Sequence, residues 1–486
     1  MNVVARLLGG WVAGRTLPGA HRATQKLSNR ATLTFLLLAA CASGHDPGTA
    51  QAPATPWNPP AAAIPPALPK NEPDISGPLT LARAIDVALA NNPATRTSWL
   101  QARAAQANLG SRRSAYYPEL DFSLTYNRTH QATQGGLNIF NSTTYGPSLA
   151  LTYLLFDFGG RAAVVEEARQ TLIAADFTHN QEIQNVVLRT QQAFFGYLDA
   201  KALLDAQSAT LKERQTNVDA ADARHRAGVA TIADVLQART AQSQAQLIFE
   251  TLEQNLRIFE GTLATTMAVP VTTRFEIGTL PTDLPVQEVT TAVDQLIAQA
   301  EAQRPDFAAA RAAVLRADAR VREVRAAALP TVGLTANASR TTFSGVTSAT
   351  ASPYSVGIAM RVPLFTGFRT QYDLREARID ADIAREGARD FRQQVDLQVW
   401  SSYYALATAT QRVRTSRDLL TSAQQSAEVA AGRYRSGVGS ILDVLTAESA
   451  LESARAQEVQ SRADWFVAVA QLAHDTGTLW PGEATQ

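Results

Sequence analysis

Cysteine is nearly absent: among 486 residues only Cys41 carries a thiol, so neither an intrachain disulfide nor a cysteine-based metal cluster can be built. An excess of charge of either sign is also missing. With 44 basic and 44 acidic residues the formal net charge is zero, which removes the electrostatic footprint that binding nucleic acid demands. No stretch of about 18 or more apolar residues occurs, which excludes an ordinary helical membrane span and leaves strands as the only route into a bilayer. His21, His45, His130, His179, His225 and His474 fall at no metal-ligand spacing, and no phosphate-cradling glycine loop or nucleophile elbow is found. The chain reads as a non-enzyme without cofactor or metal, and any energy it uses must come from a partner.

What is present is a repeat. Arg224-His-Arg-Ala-Gly-Val-Ala-Thr-Ile-Ala-Asp-Val-Leu-Gln-Ala238 returns as Arg433-Tyr-Arg-Ser-Gly-Val-Gly-Ser-Ile-Leu-Asp-Val-Leu-Thr-Ala447, identical at nine of fifteen positions. Pro93, Pro118 and Arg128 recur as Pro305, Pro330 and Arg340, each 212 positions later. Self-similarity at one offset means a supersecondary unit used twice, and therefore a single duplicated architecture.

Ahead of the repeat, Leu33-Thr-Phe-Leu-Leu-Leu-Ala-Ala40 is a short apolar run preceded by Arg22, Lys26 and Arg30, the layout of a secretory signal peptide. Leu38-Ala-Ala-Cys41 resembles a bacterial lipobox, in which cleavage precedes the cysteine and lipid is attached to it; the plainer alternative is a conventional cut nearby. In lipoproteins generally, Ala42 at the next position permits transport to the outer membrane. From Asp46 to Pro78 proline is crowded, with Pro59-Pro60 and Pro65-Pro66, so this segment reads as an extended linker.

Each half then follows one grammar. In the first, Leu79 to Asn91 and about Ala94 to Tyr116 read as helices stopped by Pro93 and Pro118. In Glu119 to Thr129, Leu120, Phe122, Leu124 and Tyr126 alternate with Asp121, Ser123, Thr125 and Asn127, and Leu149, Leu151, Tyr153 and Leu155 continue the pattern after a polar stretch, His130 to Thr144, that suits a hairpin loop. The second half offers Thr331 to Thr342 and Tyr354 to Leu364, with Val356, Ile358, Met360, Val362 and Leu364 on one side and Arg361 on the other. These lengths match the roughly 9 to 11 residues of a tilted membrane strand. Tyr116, Tyr117, Phe156, Phe158, Phe365 and Phe368 stand at strand ends, where an interfacial girdle would lie. No other strands are available to cover the apolar face, and lipid is the simplest cover.

Gly160 to Arg226 and Gly367 to Arg435 are helical runs without proline, each long enough to extend roughly 100 Å. Ile183, Val187, Thr190, Phe194 and Tyr197, then Leu204, Ser208, Leu211 and Val218, keep coiled-coil-like spacing, with Lys212, Glu213 and Arg214 assigned to the wet side. In each repeated phrase, Gly228 or Gly437 suits the left-handed end of a helix. Thr231 or Ser440 suits the next N-cap, and Asp234 or Asp443 completes a capping-box-like pair. Returning helices are expected from Ile232 to about Met267 and from Ile441 to about Thr476. Four strands cannot close a barrel, and open edges in hydrocarbon cost several kcal/mol for each unpaired group, so identical copies must associate: two would give eight strands, three would give twelve.

Taken together, the duplication, the passages Leu155-Phe-Asp-Phe-Gly-Gly-Arg161 and Leu364-Phe-Thr-Gly-Phe-Arg369, and both fifteen-residue phrases closely resemble the TolC outer-membrane factor family of efflux and secretion channels. The lipobox is similar to that of the family's lipidated branch in drug-efflux systems. The resemblance covers Leu79 to Trp480 and implies a mainly α fold with a membrane β-barrel: a homotrimer with a twelve-stranded barrel in outer-membrane lipid, continued by an α-helical periplasmic tunnel. It also implies a passive conduit opened by docking to a periplasmic adaptor (membrane fusion) protein and an inner-membrane pump. The adaptor-docking tips would be Ala227-Gly228-Val229 and Ser436-Gly437-Val438. Family members close the aperture through a tyrosine–aspartate bond, here Tyr434 and Asp234, and line it with aspartates, of which Asp443 matches one. A second ring is absent, since Thr446 holds its place, and an arginine that reinforces the latch in some members is replaced by Gly439. On axis, three Asp443 carboxylates would raise one another's pKa and attract cations; a helix cap alone is the other reading.

The resulting division is residues 1–40 signal peptide, 41–78 lipidated N-terminus and linker, 79–270 first repeat, 271–289 inter-repeat linker, 290–480 second repeat and 481–486 tail. The competing architecture is a lipid-anchored periplasmic coiled-coil scaffold without a pore.

Overall fold

The computed structural model describes residues 77–133, 138–282, 284, 292–344 and 348–480. The expected signal peptide, Cys41, nearly all of the linker that follows and the tail 481–486 lie outside the described residues.

Helices α1 (Leu81–Asn91) and α2 (Pro93–Arg113) meet at Asn92, which ends the first and caps the second by accepting from the Ala94 amide at 2.9 Å, with Pro93 at the first helical position. A short 3-10 turn, Ser114–Tyr116, replaces the last turn of the helix expected to reach Tyr116. Strands β1 (Glu119–Thr133) and β2 (Asn138–Phe156) follow. They run well past the expected boundary at Thr129, so most of the polar stretch from His130 to Thr144 is paired strand rather than loop. Its backbone extends the ladder from Thr129 opposite Ser142 to Thr133 opposite Asn138.

The chain next enters α3 (Gly160–Arg226), returns as α4 (Ile232–Thr266), and repeats the sequence of elements. The second copy comprises α5 (Val293–Gln303), α6 (Pro305–Ala326), β3 (Thr331–Ser339), β4 (Thr341–Ser344), β5 (Ala349–Ala351), β6 (Tyr354–Arg361), α7 (Arg369–Arg435) and α8 (Ile441–Asp475). The strand expected from Thr331 to Thr342 is broken at Arg340. Its amide leaves the β3 ladder to bond Pro147 O at 2.9 Å, and its carbonyl passes so close to Gly146 that a Cβ there would sit 1.7 Å away. Glycine is required at that crossing.

The continuous wall is β1-β2-β3-β6, antiparallel throughout, with β4 and β5 appended to one end of β2. Its register sorts the two faces. Leu120 lies opposite Leu151, then Ala336, then Val356; Phe122 opposite Leu149, then Ala338, then Tyr354. On the other face the rows read Asp121, Ala150, Asn337, Ser355 and Glu119, Thr152, Thr335, Gly357. The side chains of Leu120, Phe122, Leu124, Tyr126, Tyr354, Val356, Ile358 and Met360 are all exposed. Within the described residues nothing covers them.

Strand becomes helix through consecutive left-handed residues, Phe158 (φ 52°) and Gly159 (φ 91°) in the first half, Gly367 (φ 62°) and Phe368 (φ 64°) in the second. At the first passage Asp157 accepts from the Arg161 amide at 2.5 Å, and the Arg161 guanidinium donates to Leu154 O at 2.7 Å and Leu155 O at 3.1 Å. The spent strand end and the new helix are thus tied by one arginine. Edge-to-face pairs Phe156–Phe158 and Phe365–Phe368 mark both passages.

Below the wall α3 is the central post. In its upper part it packs against α2 and α6, and α6 against α7; in its lower part it packs against α4 and α8, and α8 against α7. The main core encloses the middle of α3, where Val186, Phe194, Tyr197 and Leu198 meet α1, the end of α4, Phe275 and Ile277. Phe195 stacks on Phe466 of α8 at 4.5 Å. Toward the turns the core narrows to small residues such as Ala221 and Ala238, or Ala427 and Ala454, which lets the helix backbones approach closely.

Candidate docking tips and aperture

Both turns are built as the repeated phrase requires. Gly228 (φ 75°) and Gly437 (φ 81°) occupy the left-handed position, and the amides of Val229 and Val438 close back onto Arg224 O and Arg433 O, each at 3.0 Å. Thr231 and Ser440 each form a complete capping box: Thr231 N donates to Asp234 Oδ2 at 2.9 Å, and Ser440 N to Asp443 Oδ2 at 3.2 Å, while the returning bonds from the aspartate amides measure 3.3 Å and 3.1 Å. The tips then present apolar side chains to solvent. Val229 is 65% and Val438 71% exposed, with Ile232, Leu236 and Leu442 beside them.

The expected bond between Asp234 and Tyr434 is not formed within the chain. Asp234 is occupied by its cap, and Tyr434 Oη, buried, has no partner among the described residues. Burial pushes that hydroxyl's pKa above its ordinary value; the Arg224 cation opposes the shift and the Asp234 carboxylate adds to it. Tyr434 is held instead by Arg224, whose guanidinium lies 4.7 Å over the ring and donates to the Tyr434 carbonyl at 3.0 Å. Asp443 is fully solvent-exposed, and hydrogen bonds from the Ser440 amide and hydroxyl hold its carboxyl below the usual aspartate range. Gly439 leaves no room for a side chain without movement, since a Cβ would meet Arg433 Cβ at 3.1 Å.

Arg214 corrects the assignment of Lys212, Glu213 and Arg214 to the wet side. It is 4% exposed and donates across to α8, to Glu448 Oε2 at 2.8 Å and Glu452 Oε2 at 3.4 Å, while Asn217 donates to both oxygens of Glu448 at 2.8 and 2.6 Å. Arg455 of α8 reaches back to both oxygens of Glu213, each at 3.0 Å. Charge alone suggested solvent for Arg214; α3 is instead gripped on two sides here, by its own hairpin partner α4 and by α8. Ser208, placed on the apolar stripe by spacing, is exposed, whereas Val187, Thr190, Phe194, Tyr197 and Val218 are buried as that spacing requires.

One further carboxylate escaped sequence reasoning. Asp199 sits in the buried stretch of α3, where burial first, and then the Asp464 carboxylate, push its pKa up to about 6 against the pull of Arg462; one of its oxygens has no partner. Its only sequence signal is its place beside Tyr197 and Leu198.

One sheet built from both halves, with an exposed apolar band on one face, leading in each half into a helix of about 100 Å and a shorter returning helix, defines the class of outer-membrane channels with a helical extension. The sequence profile described as outer membrane efflux protein matches residues 84–268 and 296–478, and the chain belongs to that family, whose members are channels rather than enzymes. Among curated relatives it is 29% identical to Protein CyaE of Bordetella pertussis, covering 78% of this chain and 80% of that one, and 25% identical to outer membrane protein TolC of Escherichia coli, covering 80% of each. The solved outer membrane channel CmeC of Campylobacter jejuni superposes with a TM-score of 0.74 at 17% identity, over 84% of this chain and 87% of that one. MtrE of Neisseria gonorrhoeae, solved in an open state, does so with a TM-score of 0.67 at 20% identity, over 82% and 88%. The protein is thus an outer-membrane exit channel of the efflux type.

Proposed function

We propose that three copies of this chain form the passive exit duct of a tripartite export system. A twelve-stranded barrel spans the outer membrane, and a tunnel of helices crosses the periplasm to meet an adaptor and an inner-membrane pump. The observation that carries this reading is the wall's sorted register, apolar on one side and small or polar on the other, with β1 and β6 each paired on one side only among the described strands. Such a sheet is stable in lipid only when its edges are sealed and its polar face is wet.

Val229 and Val438, raised on Gly228 and Gly437, are the apolar contacts an adaptor would cover. Asp234, Tyr434 and Asp443 govern the aperture, with Arg224 as the group that holds Tyr434 in place. The division at residues 79–270 and 290–480, the signal peptide and lipid on Cys41, with palmitate among its acyl chains, complete the reading.

Reconstituting the purified full chain in planar bilayers tests it. Discrete ion conductance, together with a heat- and SDS-resistant oligomer that sediments as a trimer in mild detergent, is expected. A lipid-anchored scaffold would conduct nothing and would not resist SDS.

A further inference from the structure

The polar face of the wall carries three charges near its helix-side end that have no ion-pair partner among the described residues: Glu119 and Asp121 on β1, and Arg361 on β6. All three are exposed. They sit on the two opposite edges of the sheet, acid on one and base on the other. Within a single chain they cannot meet, because β2 and β3 stand between them.

Strand direction and stagger bring them together in a second copy. β1 and β6 are antiparallel in the wall, so a neighbour's β6 laid against β1 continues the alternation, with the start of β1 beside the end of β6. Across one chain Glu119 is level with Gly357, four residues before β6 ends at Arg361. A strand tilt of about 35–45° staggers the next copy's β1 by about four to six residues over four strands, and of the even shifts in that range four is the one that stands its Glu119 level with Arg361, acid beside base. The shift of four is even, so it keeps polar side chains on the polar face; a shift of three or five would turn them into lipid. Repeated over three copies it gives a shear equal to the number of strands, the ratio that accompanies a tilt of about 36° in an eight-stranded barrel.

We infer that Arg361 of one copy pairs with Glu119 of the next, with Asp121 as its diagonal neighbour, in a ring of three ion pairs on the water side of the barrel seams that fixes the register between copies. Directly opposed residues in such a pair have Cβ atoms about 5 Å apart and diagonal ones about 7 Å, within reach of an arginine. The inference rests on the trimeric reading and adds to it which residues meet and in which register.

Paired cysteines test the register in the full chain. Glu119→Cys with Arg361→Cys should form covalent dimers and trimers on a non-reducing gel, since opposed strand residues suit disulfide geometry; Glu119→Cys with Gly357→Cys, the unstaggered register, should leave monomers. A complementary pair uses charge: Arg361→Glu should lower the temperature at which the SDS-resistant trimer dissociates, and adding Glu119→Arg should restore it. A ladder from the Gly357 pair alone, or a double reversal no better than the single one, overturns the inference while a trimer in sedimentation keeps the assembly. Monomers in sedimentation for the unmodified chain overturn both.

Discussion

Arg224 and Tyr434 join the two halves of the molecule at their inner ends: the guanidinium lies 4.7 Å over the ring and donates to its carbonyl at 3.0 Å, while the phenol oxygen stays unbonded within the chain. Removing the cation should therefore matter more than removing the hydroxyl. Arg224→Ala deletes a stacked cation and a charged hydrogen bond, a loss of roughly 2 kcal/mol, and should raise the resting conductance of the reconstituted channel. Tyr434→Phe should leave that conductance within a small factor of the parent. Equal effects in single-channel recordings would mean that the hydroxyl finds a partner across the assembly.

Capping and gating separate at the second tip. Ser440→Ala removes one arm of the capping box and should cost about 1 kcal/mol in thermal unfolding without altering ion selectivity, whereas Asp443→Ala combined with Tyr434→Phe should raise leakage and weaken the preference for cations. Because hydrogen bonds from Ser440 depress the Asp443 carboxyl, its contribution is present above the ordinary aspartate value and fades only as pH falls through the lowered one. Cation preference should accordingly persist at neutral and mildly acidic pH. Unchanged selectivity in the double variant would leave Asp443 as a cap and nothing more.

The buried Arg214 cluster sets the grip between α3 and α8. Arg214→Ala strands the half-buried Glu448 carboxylate and should destabilise the detergent-solubilised protein by about 3–5 kcal/mol. Arg214→Met together with Glu448→Leu removes both charges and should recover much of that loss. A single variant as stable as the parent in a melting experiment would sink the assignment.

Asp199 makes stability fall as pH rises. Its folded value of about 6 lies above the ordinary 3.8, so the folded state holds the proton more tightly than the unfolded chain between those values. The stabilising contribution is complete below about pH 4 and is lost as pH passes 6. Asp199→Asn should melt higher than the parent at pH 7.5 and at the same temperature near pH 4. Parallel melting curves across that range would refute it.

Much of this was legible in the chain because its signals are local. The turns depend on a glycine and a hydroxyl at fixed spacing, and both formed where Gly228, Thr231, Gly437 and Ser440 stand; α3 ends at Arg226 and α7 at Arg435, where the composition says they must. The strand faces followed from alternation alone. Long-range geometry is what eluded it. The break at Arg340 depends on the close passage of Gly146 from the other half, and the burial of Arg214 depends on Glu448, 234 residues away. The family resemblance pairs Tyr434 with Asp234, whose carboxylate is engaged within this chain by its own helix cap.

The long helices α3 and α7 have 67 residues each, and the returning α4 and α8 have 35 each. Two arms of equal reach bring both turns to the same depth, about 100 Å beneath the barrel. Lengthening or trimming one arm alone would leave the mouth crooked, with every second finger short. Such a protein can be resized for a wider or narrower periplasm only by matched insertions or deletions in both halves, and a compensating pair of heptads is the smallest step that also preserves the packing seam.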